Sequence, residues 1–429
     1  MMILVFVLVA LAVLALLVLV HRWLWVRLVR DTTAPGGLAR RVGTSLAIAL
    51  PLLSVAALTA GRAGAPFRVQ QVVAWPGFLW LAVLLYLTLT MLVAEPIRAL
   101  LLRRLAHRTP SGVAAAPAEQ VPAAAGAGAQ GAPEEVREEP GPDAAQTPAP
   151  APAPELSRRR FVARTVGGAA AAVAVGTVAN GAYGVLRGPS VKRVRVPLAK
   201  LPRAAHGFRI AVVSDVHLGP ILGRGHTRRI VDAVNRTQPD LIAVVGDLVD
   251  GSVHDLGPAA EPLRELSARH GAYFVTGNHE YFSGARQWVD HVRELGLTPL
   301  ENARRALPHF DLAGVNDVAG EAEGEGPDFQ AALGDRDRAR AAVLLAHQPV
   351  VIHDAVRHGV DLQLSGHTHG GQLWPGNYLA ELANPTVAGL ERYGDTQLYV
   401  SRGAGAWGPP VRVGAPSDIT VVELASYQA

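Results

Sequence analysis

Five short apolar runs, at 208–214, 241–245, 272–276, 342–346 and 362–364, each end on a residue able to hold a cation. Asp215-Val216-His217 follows the first, Gly246-Asp247 the second and Gly277-Asn278-His279-Glu280 the third. His347 follows the fourth, and Ser365-Gly366-His367-Thr368-His369-Gly370-Gly371-Gln372 the fifth. Runs this short and this rich in Val, Leu and Ala read as buried strands. Further strands are expected at 397–400 and 419–424, and amphipathic helices at 225–236, 258–270, 286–295 and 351–358. The alternation predicts one α/β domain over 191–429. In α/β sheets, functional groups collect in the crevice at the carboxyl ends of the strands, so these fragments are expected to converge.

A lone Asp or His after a strand is commonly a cap or a satisfied polar group. Five strand ends all offering Asp, Asn or His are not explained in that way. The Asp-x-His spacing lets one turn present both side chains to one ion, and Gly246 lets the backbone approach closely. Gly-His-Thr-His-Gly-Gly places two imidazoles and three glycines in one tight loop. The chain has no cysteine, which excludes disulfides, thiolate metal sites and cysteine nucleophiles. The remaining nitrogen and oxygen donors suit Mn²⁺, Fe or Zn²⁺.

Together these motifs resemble the calcineurin-like metallophosphoesterase superfamily, over roughly residues 208–424. The resemblance implies a four-layer α/β/β/α sandwich of two mixed sheets flanked by helices. It implies Asp215, His217 and His369 on one divalent cation, Asn278, His347 and His367 on a second, and Asp247 bridging both. His279 is then placed to protonate the leaving oxygen, with Glu280 a candidate for orienting it. Two cations about 3.5–4 Å apart would activate a bridging water for attack on a phosphate ester.

Gly246-Asp247-Leu248-Val249-Asp250 is followed by Gly251-Ser252, without the phosphate-clamping Arg of the superfamily's protein phosphatases. That departure argues against a phosphoprotein substrate. The Gly-Gly-Gln after His369 and the later Ser401-Arg402-Gly403-Ala404-Gly405 look instead like a bacterial membrane-associated branch. It includes a twin-arginine-exported, cell-wall-associated phosphodiesterase and relatives that cleave UDP-2,3-diacylglucosamine. Asp250 is a candidate partner for a metal-bound His, or an exposed turn residue. Trp407 is a candidate substrate wall, or a packing residue. Arg224 and Arg402 read as surface charge, and His226, His254 and His353 belong to no motif.

The rest of the chain supplies an address. Hydrophobic residues make up 49% of the 429, and net charge is only +4, so the basic pI reflects membrane-flanking arginines and not nucleic-acid binding. Apolar runs at 2–20, 44–60 and 73–93 predict a three-span membrane domain over 1–104. Residues 105–156, almost all Ala, Pro, Gly, Glu and Gln, predict a disordered linker. Ser157-Arg158-Arg159-Arg160-Phe161-Val162 resembles a twin-arginine export signal and opens a fourth apolar segment, making 157–187 a signal or anchor. Its other reading is a plain positive membrane-stop cluster. Arginines at 22, 27, 30, 40 and 41, at 98, 103, 104 and 108, and at 158–160 belong inside by the positive-inside rule, which puts the domain after Leu186 outside.

The expectation is a multi-pass membrane phosphoesterase, preferring diesters, with two divalent metals and an extracytoplasmic catalytic domain. Its substrate would be linked to lipid or cell wall, with no nucleic-acid partner and the oligomeric state left open. The alternatives are a UDP-2,3-diacylglucosamine pyrophosphatase-like hydrolase facing the cytoplasm, and a non-catalytic receptor with a ligand-binding metal domain.

Overall fold

The apolar runs are strands covered on both faces. The computed structural model describes residues 2–107 and 154–428, so nearly all of the expected linker lies outside the described residues. One six-stranded sheet contains β1 (Ser190–Leu198), β2 (Phe208–Val213), β3 (Leu241–Val245), β4 (Ala272–Val275), β5 (Thr298–Pro299) and β12 (Asp418–Ser426). Their spatial order is β1-β12-β2-β3-β4-β5, parallel except between β12 and β2. The other contains β6 (Ala303–Ala306), β7 (Phe310–Gly314), β8 (Ala341–Leu345), β9 (Leu362–Ser365), β10 (Gly389–Tyr393) and β11 (Thr396–Val400), in the order β10-β11-β9-β8-β7-β6. It is parallel in its middle and antiparallel at both edges.

The two-residue period of the strand explains their composition. On β2, Ile210 and Val212 face the second sheet, where they share a core with Val343, Leu345 and Leu364. Ala211 and Val213 face the other way, onto Ile230 and Val234 of a helix and onto Trp288. On β8, Val343 and Leu345 face the first sheet, while Leu344 packs against Ile352 and Ala355. With both faces buried, the strand has no polar face, which gives continuous apolar runs. The result is the expected four-layer sandwich.

The strands that pattern reading missed are mostly edges or charged. β6 reads Ala-Arg-Arg-Ala and β10 is largely exposed, so neither carries a clear apolar signal. β7 is buried but carries Asp311, whose carboxylate lies 3.2 Å from Arg340 and 3.7 Å from Arg304. The helix expected over 258–270 is also corrected. Ser252 caps a helix at Val253–Ala260 by accepting from the Asp255 N–H, and the chain then passes through a 3₁₀ turn, Glu261–Glu265. Pro262, with no N–H to donate, stands where an α-helical ladder would continue.

Four further helices, α1 (Met2–Trp25), α2 (Leu38–Thr59), α3 (Phe67–His107) and α4 (Pro154–Leu186), precede the sandwich. Each contains a segment long and apolar enough to cross a membrane. Contacts divide the chain into two compact units, Met1–Arg41 with Met91–Ala170, and Val42–Thr90 with Ala171–Ala429. The 1–104 segment is therefore shared between them. In the first unit, Glu95 Oε1 lies 2.6 Å from both Arg27 and Arg98, and Arg164 donates to the Thr32 carbonyl at 2.8 Å. In the second, α2 and α3 approach closely because Gly77 has no side chain; a Cβ there would lie 2.7 Å from that of Ala57. Ser54 Oγ donates to the Gly77 carbonyl at 2.8 Å across this crossing. The last turns of α4 join the same unit, where Val185 is buried with Leu222 and Ala406.

Candidate dinuclear metal centre

The carboxyl ends of β2, β3 and β4 in one sheet meet those of β8 and β9 in the other. Asp215 and His217 leave β2, Asp247 leaves β3, and Asn278 and His279 begin the helix after β4. His347 follows β8, and His367 and His369 follow β9. All eight residues expected from sequence come together, and all but Asn278, His279 and His367 are buried. Their donor atoms, apart from a set that joins His217 and His279 to Asp250, form two groups, Asp215, His217, Asp247 and His369 in one and Asp247, His347 and His367 in the other. Asp247 belongs to both.

The backbone is bent to achieve this. Asp215, His217, Asp247, His367 and His369 all have positive φ, between 48° and 73°. Non-glycine residues rarely adopt that region, and such strain is held only where the surroundings over-determine it. Glycines make the close approaches. A Cβ at Gly246 would stand 2.6 Å from Gly277 N and 2.7 Å from His347 Nδ1, and one at Gly366 would collide with Ser214 Oγ and Asp215 Oδ2.

Glu280 does not orient His279. Its buried carboxylate accepts three backbone N–H bonds, from Asp247 at 2.9 Å, Leu248 at 2.8 Å and Gly277 at 2.6 Å, tying the β3 loop to the β4 loop. Burial, together with the Asp247 charge, pushes its pKa up to about 7 against those donors. Asp247 is fixed from its other side, where Oδ1 accepts from the His279 N–H at 2.9 Å.

Hydrogen bonds set the imidazoles. His347 Nδ1 lies 2.8 Å from the Val245 carbonyl, which can only accept, so Nδ1 carries a proton and Nε2 is the nitrogen turned to the site. That Nε2 is buried without a hydrogen-bond partner and points at Asp247 Oδ2, 3.1 Å away. His217 Nδ1 lies 3.0 Å from Asp250 Oδ1, which likewise leaves its Nε2 turned to the site. The other close pairs are His217 Nε2 to His369 Nε2 at 2.9 Å, Asp215 Oδ1 to His369 Nε2 at 3.3 Å, and Asn278 Oδ1 to His367 Nδ1 at 3.0 Å.

Two donors each about 2.1 Å from one cation and at right angles are about 3 Å apart, so these separations suit ligands that share an ion. Imidazole nitrogens and carboxylate oxygens converging in one buried pocket, one nitrogen among them orphaned, are costly without a cation. The donor set therefore fits a pair of divalent metals. Burial opposes ionisation of the carboxyls, yet the imidazoles hold Asp247 down to about 2 and Asp215 lower still. Burial likewise disfavours charge on His217, but Asp250, Asp247 and Asp215 raise it to about 9. For His367 and His369 burial prevails and lowers both to about 4.

Two residues complete the surroundings. Asp250 Oδ1 lies 2.6 Å from His279 Nδ1 as well as beside His217, so it serves the site and is not a free turn residue. Arg412 belongs to no motif. It is buried behind His369, donating to that residue's carbonyl at 2.9 Å and to the Gly405 carbonyl at 2.7 Å, with Nη2 3.1 Å from His369 Nδ1. No local signal marked it, because a Pro/Gly-rich loop folds it back from 43 residues away. Trp407 stands edge-on to His279 with centroids 5.7 Å apart, and is a wall of the site.

The calcineurin-like phosphoesterase family model matches residues 208–371. A transmembrane protein with metallophosphoesterase domain from Danio rerio is 39% identical over 250 residues, covering 55% of this chain and 57% of that protein. An uncharacterized metallophosphoesterase of Helicobacter pylori is 38% identical over 248 residues, covering 57% of this chain and 66% of that one. An uncharacterized metallophosphoesterase of Aquifex aeolicus is 33% identical over 239 residues, covering 54% of this chain and 91% of that one. The chain thus spans between half and two thirds of the length of the first two relatives.

Proposed function

Because the chain belongs to the calcineurin-like metallophosphoesterase family, we propose that it hydrolyses phosphate esters, with a preference for diesters, at the Asp/His centre. The observation that carries this reading is the carboxylate of Asp247, shared by two groups of metal-competent donors. Asp215, His217 and His369 would hold one cation, Asn278, His347 and His367 the other, and Asp247 both, with Mn²⁺, Fe or Zn²⁺ suited to these donors. Two such cations, when bound, polarise phosphoryl oxygens and make a water acidic enough to attack phosphorus at neutral pH.

The remaining work falls to the chain's own residues. His279 lines the cleft with its Nδ1 held by Asp250 and its Nε2 4.0 Å from Asp247 Oδ2. Nε2 is the atom placed to give a proton to the leaving oxygen. Asp250 keeps that ring and His217 in fixed orientations, and Arg412 does the same for the loop of His369. Phe282 and Trp407 flank His279 edge-on, at 5.6 and 5.7 Å, as apolar walls of the cleft.

The proposed address is a membrane, with the catalytic domain outside the cytoplasm and the substrate linked to lipid or cell wall. Flanking arginines and the Arg158-Arg159-Arg160 cluster support that orientation. Alkaline phosphatase fused after Leu186 should be active in cells, whereas activity only of a cytoplasmic reporter would reverse the topology. The activity is tested with bis-p-nitrophenyl phosphate and p-nitrophenyl phosphate plus Mn²⁺. Turnover abolished by Asp247→Ala and His369→Ala is expected; no turnover with any divalent metal defeats the enzyme reading.

A further inference from the structure

A cleft of about 840 Å³ opens from the Asp/His centre, and its two walls differ in kind. One is the centre itself, with His279 and His369 at its floor. The other belongs to the α2–α3 hairpin, where Leu58, Phe67, Phe78 and Leu81 present apolar surface and Arg62 and Gln70 the polar groups. Ile221, Phe282 and Trp407 continue the apolar lining on the catalytic side, and Phe282 and Trp407 are 71% and 56% exposed. A small soluble ester would leave this surface wet.

A second observation places the same region beside a candidate membrane span. Tyr86, inside the apolar helix α3, donates a 2.9 Å hydrogen bond to the carbonyl of Trp374, two residues beyond the Gly-Gly-Gln of the metal loop. A catalytic-domain loop thus shares a bond with a residue of a candidate membrane span. The helix that follows, Gly376–Ala383, leaves Tyr378, Leu379 and Leu382 at least 58% exposed. Exposed aromatic and aliphatic side chains beside a membrane helix suit the bilayer interface.

Resting on the phosphoesterase reading above, we infer that the substrate is a membrane phosphate ester carrying a long aliphatic chain. Its phosphorus lies at the Asp/His centre and its chain along Leu58, Phe78 and Leu81, so the α2–α3 hairpin is a specificity wall as well as an anchor. Water supplies the oxygen that bonds to phosphorus, the bond from phosphorus to the leaving oxygen breaks, and that oxygen takes a proton from His279. His279 recovers a proton released from the water. Each methylene removed from water contributes up to about fourfold in affinity, so chain length should be read strongly.

The test uses the full chain in lipid nanodiscs with Mn²⁺ and the p-nitrophenyl diesters of methyl, butyl and octyl phosphate. The wild type should show kcat/KM rising at least thirtyfold from methyl to octyl. The double variant Leu58→Gln with Leu81→Gln should lose at least tenfold on the octyl ester and stay within twofold on the methyl ester. Partition into the disc is common to both proteins, so a variant that changes both esters equally, or neither, overturns the inference while leaving the phosphoesterase reading intact. No turnover of any ester defeats that reading instead, and the wall is then judged by a diazirine-bearing octyl phosphate. Photolabelling of Ile221, Phe282 or Trp407 that is lost in the double variant supports it; labelling confined to the outer faces of the helices overturns it.

Discussion

Asp250 Oδ1 stands 2.6 Å from His279 Nδ1, and the same oxygen stands 3.0 Å from Nδ1 of His217. One carboxylate thereby orients an imidazole proposed to bind metal and another proposed to donate the leaving-group proton. Asp250→Asn should lower kcat by about 10–100-fold, the usual cost of losing an outer partner of a metal-bound imidazole. A variant with wild-type kcat would remove Asp250 from the machinery.

His279→Asn separates acid from ligand. It should retain both metals by elemental analysis and lose about 10²–10⁴-fold in turnover of alkyl esters. The loss should shrink with p-nitrophenolate, which leaves without a proton. Equal losses for both leaving groups would argue against a proton donor.

Asp247→Ala removes the one carboxylate common to both donor groups. Bound metal should fall from two equivalents toward one or none, with an activity loss exceeding the about 10–100-fold cost of an outer partner. Retention of two equivalents would show that Asp247 does not bridge.

Gly366→Ala would place a methyl against Ser214 Oγ and Asp215 Oδ2, atoms fixed by the neighbouring strand and loop. Overpacking of this kind costs about 1–3 kcal/mol. Thermal unfolding should drop by about 2–4 °C for each kcal/mol, and metal affinity should fall with it. An unchanged melting temperature and metal content would mean the loop relaxes freely.

His226, buried with neither ring nitrogen hydrogen-bonded, offers a pH test away from the proposed ligands. Burial first, then the charges of Arg229 and Arg412, lower its pKa to about 4. The unfolded chain, titrating near 6.5, binds more protons between those values, so stability present above pH 6.5 is lost as pH falls toward 4. The full effect is of the order of 3 kcal/mol. The melting temperature of His226→Leu should fall less steeply than that of the wild type over this range; parallel curves would refute it.

The α/β class and the residues of the centre were legible because both are written locally. Strands buried on two faces must be apolar throughout, and ligands at strand ends follow them directly, so β2, β3, β4, β8 and β9 announced both. Edge strands such as β6 and β10 were not legible, since half their surface meets water and their pattern resembles a loop. The end of the helix before Pro262 was misplaced because an amphipathic pattern does not register a missing N–H.

The sequence by itself determined the donor set, since Asp, Asn and His after five strands leave few uses besides cation binding. Only the tertiary structure assigned Asp250 to two imidazoles, turned Glu280 from His279 to three backbone N–H groups, and brought Arg412 behind His369. It also set the α2–α3 hairpin across the cleft from the metal loop. Apart from the local Gly277–Glu280 bond, each of these depends on distance in space between residues tens to hundreds of positions apart, and side-chain pattern along the chain carries no measure of that distance.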